Sequence, residues 1–498
     1  MLDASGVAMA LEAGLPHGVR ARQLSARTLV VGMLVALAEG RPAQLTRVHA
    51  ALSGLPEADR ARLGVVSEWR TGPHTLSYRQ VEHTARLLAA SLAKACPDGQ
   101  PSVALARFSA ALLEASVPER AKATSAALAV DWTDMESFAC PPVPDVRPSV
   151  DAEASWGHRR GHGPGQKDEL FFGYYLSAAT MVNEEGGVNK EGGANEEGGP
   201  AVPELVRRAT LSSCHVDPVP AFVPALRGLA SSGVALGDVL ADSGYAHRVA
   251  EHWALPLRAL GAEIVTDLHP HDRGPRGTFA GAICSNGNLY CPATPPGLLG
   301  LVPLARDASA PEIAVHDQRS ADLAHYKLAR LGADDQDGYH RVACPGVIGK
   351  LRCPRRAASM TLSHDRPTVL CPPEHVPTCC RQKTLTVPVS VNAKTAQKYD
   401  YPSAAWRASY ARRTAVERSF STIKDPASND ISRGWCRLMG LSAITVFLTC
   451  CLVVRNWRVL DAFEAREADD ACRPAAGLGP RRRKRRRRSL AEVANAGP

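Results

Sequence analysis

The sequence predicts an α/β fold in which a mixed sheet is flanked by helices, and three observations support this prediction. Apolar residues make up 45% of the 498 residues, enough for most of the chain to fold around a core. Between residues 120 and 267, short apolar segments typical of strands alternate with segments of helical periodicity. The regular pattern then stops, and it returns near residue 386 with a long helical segment, which indicates an insertion within the sheet domain.

The amino-terminal region is predicted to be helical. LSARTLVVGMLVALAEG, LTRVHAALSGL and LSYRQVEHTARLLAASLAKA carry apolar residues at helical spacing. Short helices joined by tight turns are typical of a DNA-binding helix-turn-helix and equally of a plain helical bundle. We expect DNA binding in this region and keep the bundle as the alternative.

Strand and helix candidates alternate in the sheet domain. The strand candidates are SAALAVDW, ELFFGYYLSAAT, ELVRRATLSS, LGDVLADSGY and AEIVTDL. AFVPALRGLASSG and RVAEHWALPLRALG have helical periodicity. A glycine-rich repeat at 183–199 separates the second and third strands and suits a flexible hairpin connection. Near the end, LSAITVFLTCCLVV has fourteen residues, fewer than the roughly 20 of a membrane helix, and we expect a buried helix there.

The positive charge is concentrated in one run. Of the net charge of +9, eight charges lie in RRRKRRRR at 481–488, which leaves the rest of the chain near +1. Adjacent cations repel one another, so we expect a disordered tail that either binds phosphates without sequence specificity or is merely solvated. These patterns divide the chain into a helical region, two parts of the sheet domain separated by an insertion, and a basic tail, at 1–115, 120–267, 268–385, 386–462 and 463–498.

Two aspartates each end an apolar run and precede a turn-like segment. Asp131 follows LAV, and Asp242 follows VLA. A carboxylate at the end of a buried strand is costly unless it is paired or binds a metal, although many such acids only cap turns. Asp134 and Glu136 are alternative ligands beside the first aspartate. We favour Asp131 because a strand terminus is a rigid platform for a site.

A third acid lies among cations in YARRTAVERSFSTIK. On a helix, Tyr410, Arg413, Glu417 and Lys424 fall in one stripe about 60° wide and about 21 Å long. Such a face offers a carboxylate to a metal and cations to phosphates. The alternative is a solvated face with an Arg413–Glu417 pair, worth about 0.3 kcal/mol. Further cations on the same segment are Arg407, Arg412 and Arg418.

This spacing, Tyr410-x2-Arg413-x3-Glu417-x6-Lys424, resembles the Tyr-Arg-Glu-Lys signature of DDE transposases from bacterial insertion sequences. LAVDWTDMESF and LADSGYAHR look like the segments of that family that carry the first and second acids. The resemblance covers about residues 120–460, and within it the sequence is similar to actinobacterial members of the family. It implies a ribonuclease-H-like core and a mostly β insertion before the glutamate. The 174-residue gap between Asp242 and Glu417 and the cysteines within it depart from the family pattern.

The resemblance implies phosphodiester cleavage and strand transfer on DNA. Asp131, Asp242 and Glu417 would bind two Mg²⁺ or Mn²⁺ ions, since hard cations prefer carboxylate oxygens. Tyr410, Arg413 and Lys424 would contact DNA. The expected partners are double-stranded DNA, as terminal inverted repeats and target, and a second copy of the chain. We expect no membrane and a location in the bacterial cytoplasm, on the nucleoid. The alternatives are an inactive, transposase-derived DNA-binding protein and a stand-alone nuclease.

The chain has fourteen cysteines, and the start MLDASGVAMALEAGL shows no secretory signal. In a reducing compartment cysteines are free thiols or metal ligands. Five of them fall within 37 residues of the predicted insertion, at Cys344, Cys353, Cys371, Cys379 and Cys380. They are candidates for structural Zn²⁺, with His364 and His375 as further ligands. No C-x2-C pair occurs, and free buried thiols are the alternative.

Overall fold

The computed structural model describes most of the chain. The described residues are 1–16, 22–65, 68–69, 72–73, 75–93, 98–159, 167–184, 201–305, 307–426 and 430–479. The basic run and all but the first two residues of the glycine-rich repeat lie outside them, as does the end of the predicted tail.

Helices occur throughout the described chain. They are α1 (Val7–Gly14), α2 (Ala26–Ala38), α3 (Leu45–Gly54), α4 (Glu57–Arg62), α5 (Tyr78–Ala93), α6 (Val103–Ala115), α7 (Glu119–Lys122), α8 (Pro218–Ser231), α9 (Ser243–Ala246), α10 (Ala254–Ala259), α11 (Pro296–Leu299), α12 (Ala310–Ala324), α13 (Thr378–Arg381), α14 (Ala404–Tyr410), α15 (Thr414–Ile423) and α16 (Leu441–Cys472).

In the described part of the chain, strands form four sheets. They are β1 (Glu68–Trp69), β2 (Gly72–Pro73), β3 (Leu128–Glu136), β4 (Ser155–Arg159), β5 (Glu169–Met181), β6 (Val206–Ser213), β7 (Asp238–Ala241), β8 (Glu263–Thr266), β9 (Pro275–Phe279), β10 (Ala282–Ser285), β11 (Asn288–Tyr290), β12 (Ala329–Leu331), β13 (His340–Ala343) and β14 (Thr384–Val387).

A six-stranded mixed sheet organises the fold. Strand β5 pairs antiparallel with β3, β4 and β6, and β3 continues the sheet through parallel pairing with β7, which pairs parallel with β8. The pairing of β5 with β6 confirms the hairpin predicted across the glycine-rich repeat. The predicted α/β class with a mixed sheet is therefore confirmed.

Helices cover both faces of this sheet because successive side chains of a strand point to opposite sides. On β3, Leu128 and Val130 belong to the core that α8 and α10 share. Ala127 and Ala129 belong to a second core with α15 and α16. Because side chains alternate along a strand, Asp131 lies on the same face as Ala129 and points toward α15.

Strand β3 is longer than its apolar run. Its register with β5 extends from Leu128 opposite Met181 to Glu136 opposite Gly173, whereas its pairing with β7 ends at Ala129. The placement of Asp131 at a strand terminus is therefore wrong. The antiparallel ladder to the long β5 keeps the polar residues after Asp131 extended, and Asp131 lies where the parallel neighbour stops.

Helix α16 joins the amino-terminal helices to the sheet. It packs against α2, α5, α6 and β6 and shares one apolar core with them. Asn456, fully buried, accepts a hydrogen bond from the Val206 N–H (2.8 Å) and donates to the Val206 carbonyl (2.8 Å) and the Ser116 hydroxyl (2.9 Å). This side chain thus ties the helix to β6.

The same helix is apolar enough to be compared with a membrane span. Its most apolar window has a mean hydropathy of 1.5, but 72% of that window is buried inside the protein, which is compatible with a soluble protein. The buried helix predicted at its start is present. The chain stays helical to Cys472, so residues 463–472 are not the irregular tail that we expected.

The insertion contains two small antiparallel sheets, in the orders β11-β10-β9 and β12-β13-β14. Strand β14 pairs with β13, so the segment TLTV belongs to the insertion and carries it two residues past the predicted boundary at 385. Helices α14 and α15 follow. A 3₁₀ turn at Ala411–Arg413 separates them, which interrupts the single long helix expected there.

Candidate active site

Two of the three predicted acids lie on neighbouring strands of the mixed sheet. Leu128 and Ala129 of β3 pair with Val239 and Leu240 of β7. The same register carried two residues further places Asp131 beside Asp242, which follows the last residue of β7. The carboxyl ends of parallel strands are a frequent location for ligand sites.

Asp242 is also a helix cap. Its Oδ1 accepts hydrogen bonds from the N–H groups of Gly244 (2.8 Å) and Tyr245 (3.4 Å) at the start of α9. The cap was the simpler alternative for this residue, and it coexists with a position beside Asp131. The hydrogen bonds fix the orientation of the carboxylate at the strand end.

Glu417 reaches the same place from α15. One Nη of Arg413 lies 3.1 Å from the Asp131 carboxylate, and the other Nη donates to the Glu417 carboxylate. Only 14% of the Arg413 side chain and 16% of that of Asp131 are exposed, against 43% for Glu417. Arg413 therefore links two acids that are far apart in the sequence.

The electrostatics of this cluster disfavour its own negative charge. Three carboxylates and one guanidinium leave two net negative charges when all are ionised. Burial, and then the charge of Asp242, raise the pKa of Asp131 to about 7, although Arg413 and the Trp132 N–H oppose this. A divalent cation would relieve both effects, since it supplies the positive charge that the site lacks.

A buried hydroxyl lies beside the two aspartates. Tyr245 is fully buried, and its ring lies 4.8 Å from that of Trp132 on β3. Its hydroxyl has no hydrogen-bond partner in the described part of the chain. Burial, together with the charges of Asp131 and Asp242, raises the pKa of Tyr245 well above its usual value, so it remains a neutral donor.

The alternative ligands on β3 are held by cations. Arg159 lies 2.5 Å from the Asp134 carboxylate and 2.8 Å from that of Glu136. Lys424 donates to the Thr133 hydroxyl (2.6 Å) and to Asp134 (3.0 Å). Burial opposes ionisation of Asp134, but Arg159 and then Lys424 outweigh it and lower its pKa. These pairs favour Asp131 over its two neighbours as a ligand.

Tyr410 and Lys424 differ in their access to a ligand. Tyr410 stacks on Trp406 at 4.8 Å and 14°, and the Arg413 guanidinium lies 5.6 Å from its ring centre. Tyr410 therefore contacts Trp406 on one side and Arg413 on the other. About a third of the Lys424 side chain, 34%, is exposed, so this cation remains accessible from solvent.

Like Lys424, which pairs with Asp134, the other cations on and near this segment have acidic partners. The pairs are Arg407 with Asp317, Arg412 with Asp238 and Arg418 with Glu204.

Sequence reasoning missed two residues near the site. Asp267 follows β8. Burial is the main cause that raises the pKa of Tyr410, and the charge of Asp267 raises it further. Asp267 accepts a hydrogen bond from the Tyr401 hydroxyl at 2.6 Å and pairs with Arg273 at 3.1 Å. Its signal was present, because Asp267 follows IVT in the strand candidate AEIVTDL, much as Asp131 and Asp242 follow their apolar runs. Arg159 had no such signal, since its partners lie on another strand.

A histidine cluster adjoins the strand ends. The ligand atoms of His247, His269 and Asp272 lie within 4.8 Å of one another, and they alone meet this test among the described residues. Burial, followed by the rings of His247 and His271, lowers the pKa of His269. However, the Lys394 ammonium lies 2.7 Å from Asp272. A metal would compete with this ammonium.

Comparison with known proteins adds no further assignment. No protein-family model matches the chain, and no curated protein is similar to it. The function is therefore inferred from the geometry of the site.

Proposed function

We propose that this protein is a DDE transposase that binds transposon ends and carries out metal-dependent cleavage and strand transfer on DNA. The observation that carries the proposal is the convergence of Asp131, Asp242 and Glu417. The first two lie at neighbouring strands, and Arg413 joins the first to the third. Three acids from three elements at one place are costly to the fold, which favours a functional reason for them.

The sheet supports a ribonuclease-H-like core. Without β4, its order is β6-β5-β3-β7-β8. In chain order this is 3-2-1-4-5, with the first three strands antiparallel and the last two parallel to the first. A mixed sheet flanked by helices is what the resemblance to DDE transposases implies. The insertion between Asp242 and Glu417 is also partly β, as the resemblance implies.

The donor set fits Mg²⁺ or Mn²⁺. Hard cations bind carboxylate oxygens. The site provides three carboxylates, and its net charge is negative when all three are ionised. Asp131, Asp242 and Glu417 would hold the ions. When bound, such a pair of ions activates an attacking water or 3′-hydroxyl and stabilises the leaving oxygen.

The residues around the acids orient the site. Arg413 forms ion pairs with both Asp131 and Glu417 and offsets part of the repulsion between their charges. Asp242 is oriented by the N–H groups of α9. Lys424, which pairs with Asp134 and is 34% exposed, would contact a flanking phosphate. Because the Arg413 guanidinium is paired with two carboxylates, it would contribute to DNA binding only indirectly, by positioning those acids.

The remaining partners follow from the reaction. Two DNA ends must be joined in concert, so we propose a homodimer on double-stranded DNA that carries terminal inverted repeats. The amino-terminal helices and the basic run would add DNA contacts. The protein would act in the bacterial cytoplasm, where the chromosome is accessible.

A cleavage and strand-transfer assay tests the proposal. The substrate is a labelled duplex with the inverted repeats that flank the gene, incubated with full-length protein and Mg²⁺ or Mn²⁺. We expect nicking and joining by the wild type. Glu417→Gln should bind the duplex with unchanged affinity and show no cleavage. The matched control is Glu204→Gln. It removes the acidic partner of Arg418, which lies on α15 next to Glu417, and it should leave cleavage intact.

The outcomes separate the alternatives. Cleavage by Glu417→Gln at the wild-type rate would refute the assigned site. Hydrolysis without joining would indicate a stand-alone nuclease. Binding without cleavage by the wild type would indicate an inactive, transposase-derived DNA-binding protein.

A further inference from the structure

The structure brings one set of metal-ligand side chains together outside the three-carboxylate site. In the described part of the chain, no three cysteine sulfurs lie within 4.8 Å of one another, so the five cysteines predicted as zinc ligands are not assembled into a site. The ligand atoms of His247, His269 and Asp272 do lie within this distance. Two imidazoles and a carboxylate are the protein ligands of many zinc sites in which water takes the fourth position.

Two loops at one end of the mixed sheet carry these three side chains. His247 directly follows α9, and α9 begins after Asp242 at the end of β7. His269 and Asp272 belong to the loop after β8, in which a 3₁₀ turn spans Pro270–Asp272. Strands β7 and β8 are parallel neighbours, so the loops that follow them leave the sheet side by side. A metal bound by the three side chains would join these two loops.

The two imidazole rings already lie against each other. Their centroids are 3.9 Å apart, and their planes differ by 33°. The His269 Nδ1 accepts a hydrogen bond of 3.3 Å from the His271 N–H, which restricts the ring. This bond is long, so a metal that takes its place replaces only a weak interaction. The lowered pKa of His269 keeps its ring neutral, which is the form that binds a metal.

The Asp272 carboxylate has a buried oxygen that receives no hydrogen bond. Its Oδ2 is shielded from solvent and has no hydrogen-bond partner among the residues that the structure describes. The Lys394 ammonium lies 2.7 Å from this oxygen, but the angles are not those of a hydrogen bond. The His247 Nδ1 lies 4.0 Å from the same oxygen. The contact with Lys394 is therefore a pairing of charges, in a position where a metal ion could bind the carboxylate and the imidazoles together.

We propose that His247, His269 and Asp272 bind one Zn²⁺ ion, with water as the fourth ligand. Lys394 occupies the cation position when zinc is absent, and its side chain, 29% exposed, moves into solvent when zinc binds. Imidazole nitrogen favours Zn²⁺, whereas Mg²⁺ and Mn²⁺ prefer oxygen ligands, so this site and the three-carboxylate site would select different cations. Zinc would fasten the loops after β7 and β8 to each other. The proposal does not depend on transposase activity.

The first test measures zinc binding by the full-length protein. The protein is stripped with a chelator, dialysed, and titrated with Zn²⁺ against a chromophoric zinc indicator in excess Mg²⁺. We expect one zinc per chain. X-ray absorption of the zinc form should show only nitrogen and oxygen ligands at about 2.0–2.1 Å, with the outer-shell scattering of imidazole. No zinc binding, or sulfur ligands at about 2.3 Å, would overturn the proposal.

Single variants then identify the ligands. His247→Ala and Asp272→Asn should each weaken zinc binding at least tenfold. His271→Ala is the matched control, because its ring lies beside His269, with centroids 4.7 Å apart, but outside the ligand set, and zinc affinity should not change. Zinc loss in His271→Ala but not in His247→Ala would overturn the assignment.

A variant of Lys394 provides the sharpest test, because it is expected to gain affinity. Lys394→Met removes the ammonium that competes with zinc for Asp272, so zinc affinity should rise severalfold. A variant that fails to fold cannot imitate this gain. Unchanged or weaker zinc binding by Lys394→Met would show that zinc does not bind at Asp272, and it would overturn the proposal.

Discussion

The substitution Asp131→Asn should stabilise the metal-free protein while it abolishes activity. Asp131 is largely buried beside Asp242, and burial and that charge raise its pKa from 3.8 to about 7. Because the folded protein binds this proton more tightly than the unfolded chain, ionised Asp131 costs stability as the pH rises from about 4 to about 7. Asparagine has almost the same shape and no charge, so it removes this cost.

The magnitude follows from the size of the pKa change. A difference of about three pKa units corresponds to about 4 kcal/mol at most, at 1.36 kcal/mol for each unit. Protons in a cluster of acids belong to the group rather than to one residue, and Arg413 loses one acceptor in the variant. We therefore expect a gain of about 2 kcal/mol above pH 7, falling toward zero near pH 4.

The assay is equilibrium unfolding of the full-length protein in chelator, repeated between pH 5 and pH 8. Asp134→Asn is the matched control from the same strand. Arg159 and Lys424 lower the pKa of Asp134, so its ionised form stabilises the fold above the unfolded pKa, and this contribution is lost as the pH falls. Its variant should therefore be less stable than the wild type at pH 7. Mn²⁺ should stabilise the wild type and not Asp131→Asn.

The opposite order would refute the reasoning. If Asp131→Asn is less stable than the wild type at pH 8, or its effect does not change with pH, then Asp131 is not a strained carboxylate held for a ligand.

Two further substitutions test the framework around the site. Gly244→Ala should cost about 1–3 kcal/mol and reduce cleavage, because a Cβ there would lie 2.4 Å from the Trp132 ring and 3.0 Å from the Asp242 carboxylate. Gly228→Ala, on α8 with no atom within 4 Å of the new Cβ, should instead be neutral or stabilising; denaturant unfolding compares the two, and equal effects would contradict the close contact. Asn456→Ala should cost at least about 2 kcal/mol, because it leaves the buried backbone groups of Val206 without their partner. Unchanged unfolding of this variant would show that α16 is not fixed to β6 through this side chain.

Local patterns were sufficient for five of the six strands of the mixed sheet and for its covering helices, but β4 was not predicted. The apolar strands and the hairpin of β5 and β6 could be predicted because alternation and turn composition are local signals. The end of β3 could not, since residues after Asp131 are polar and are kept extended only by pairing with β5. The 3₁₀ turn at Ala411–Arg413 also escaped prediction, because nothing in the helical spacing distinguishes it from the helices on either side.

The site was predictable in part for a similar reason. Asp131, Asp242 and Glu417 could be selected by context and spacing, but the Arg413 bridge depends on how α15 docks on β3.

The most direct test of the three-carboxylate site is a crystal structure with Mn²⁺, using anomalous scattering to locate the ions. Our account predicts two manganese peaks about 3.5–4 Å apart between Asp131, Asp242 and Glu417, with the Arg413 guanidinium displaced from at least one carboxylate. Manganese bound only at His247, His269 and Asp272, or no manganese between the three acids at saturating concentration, would contradict it.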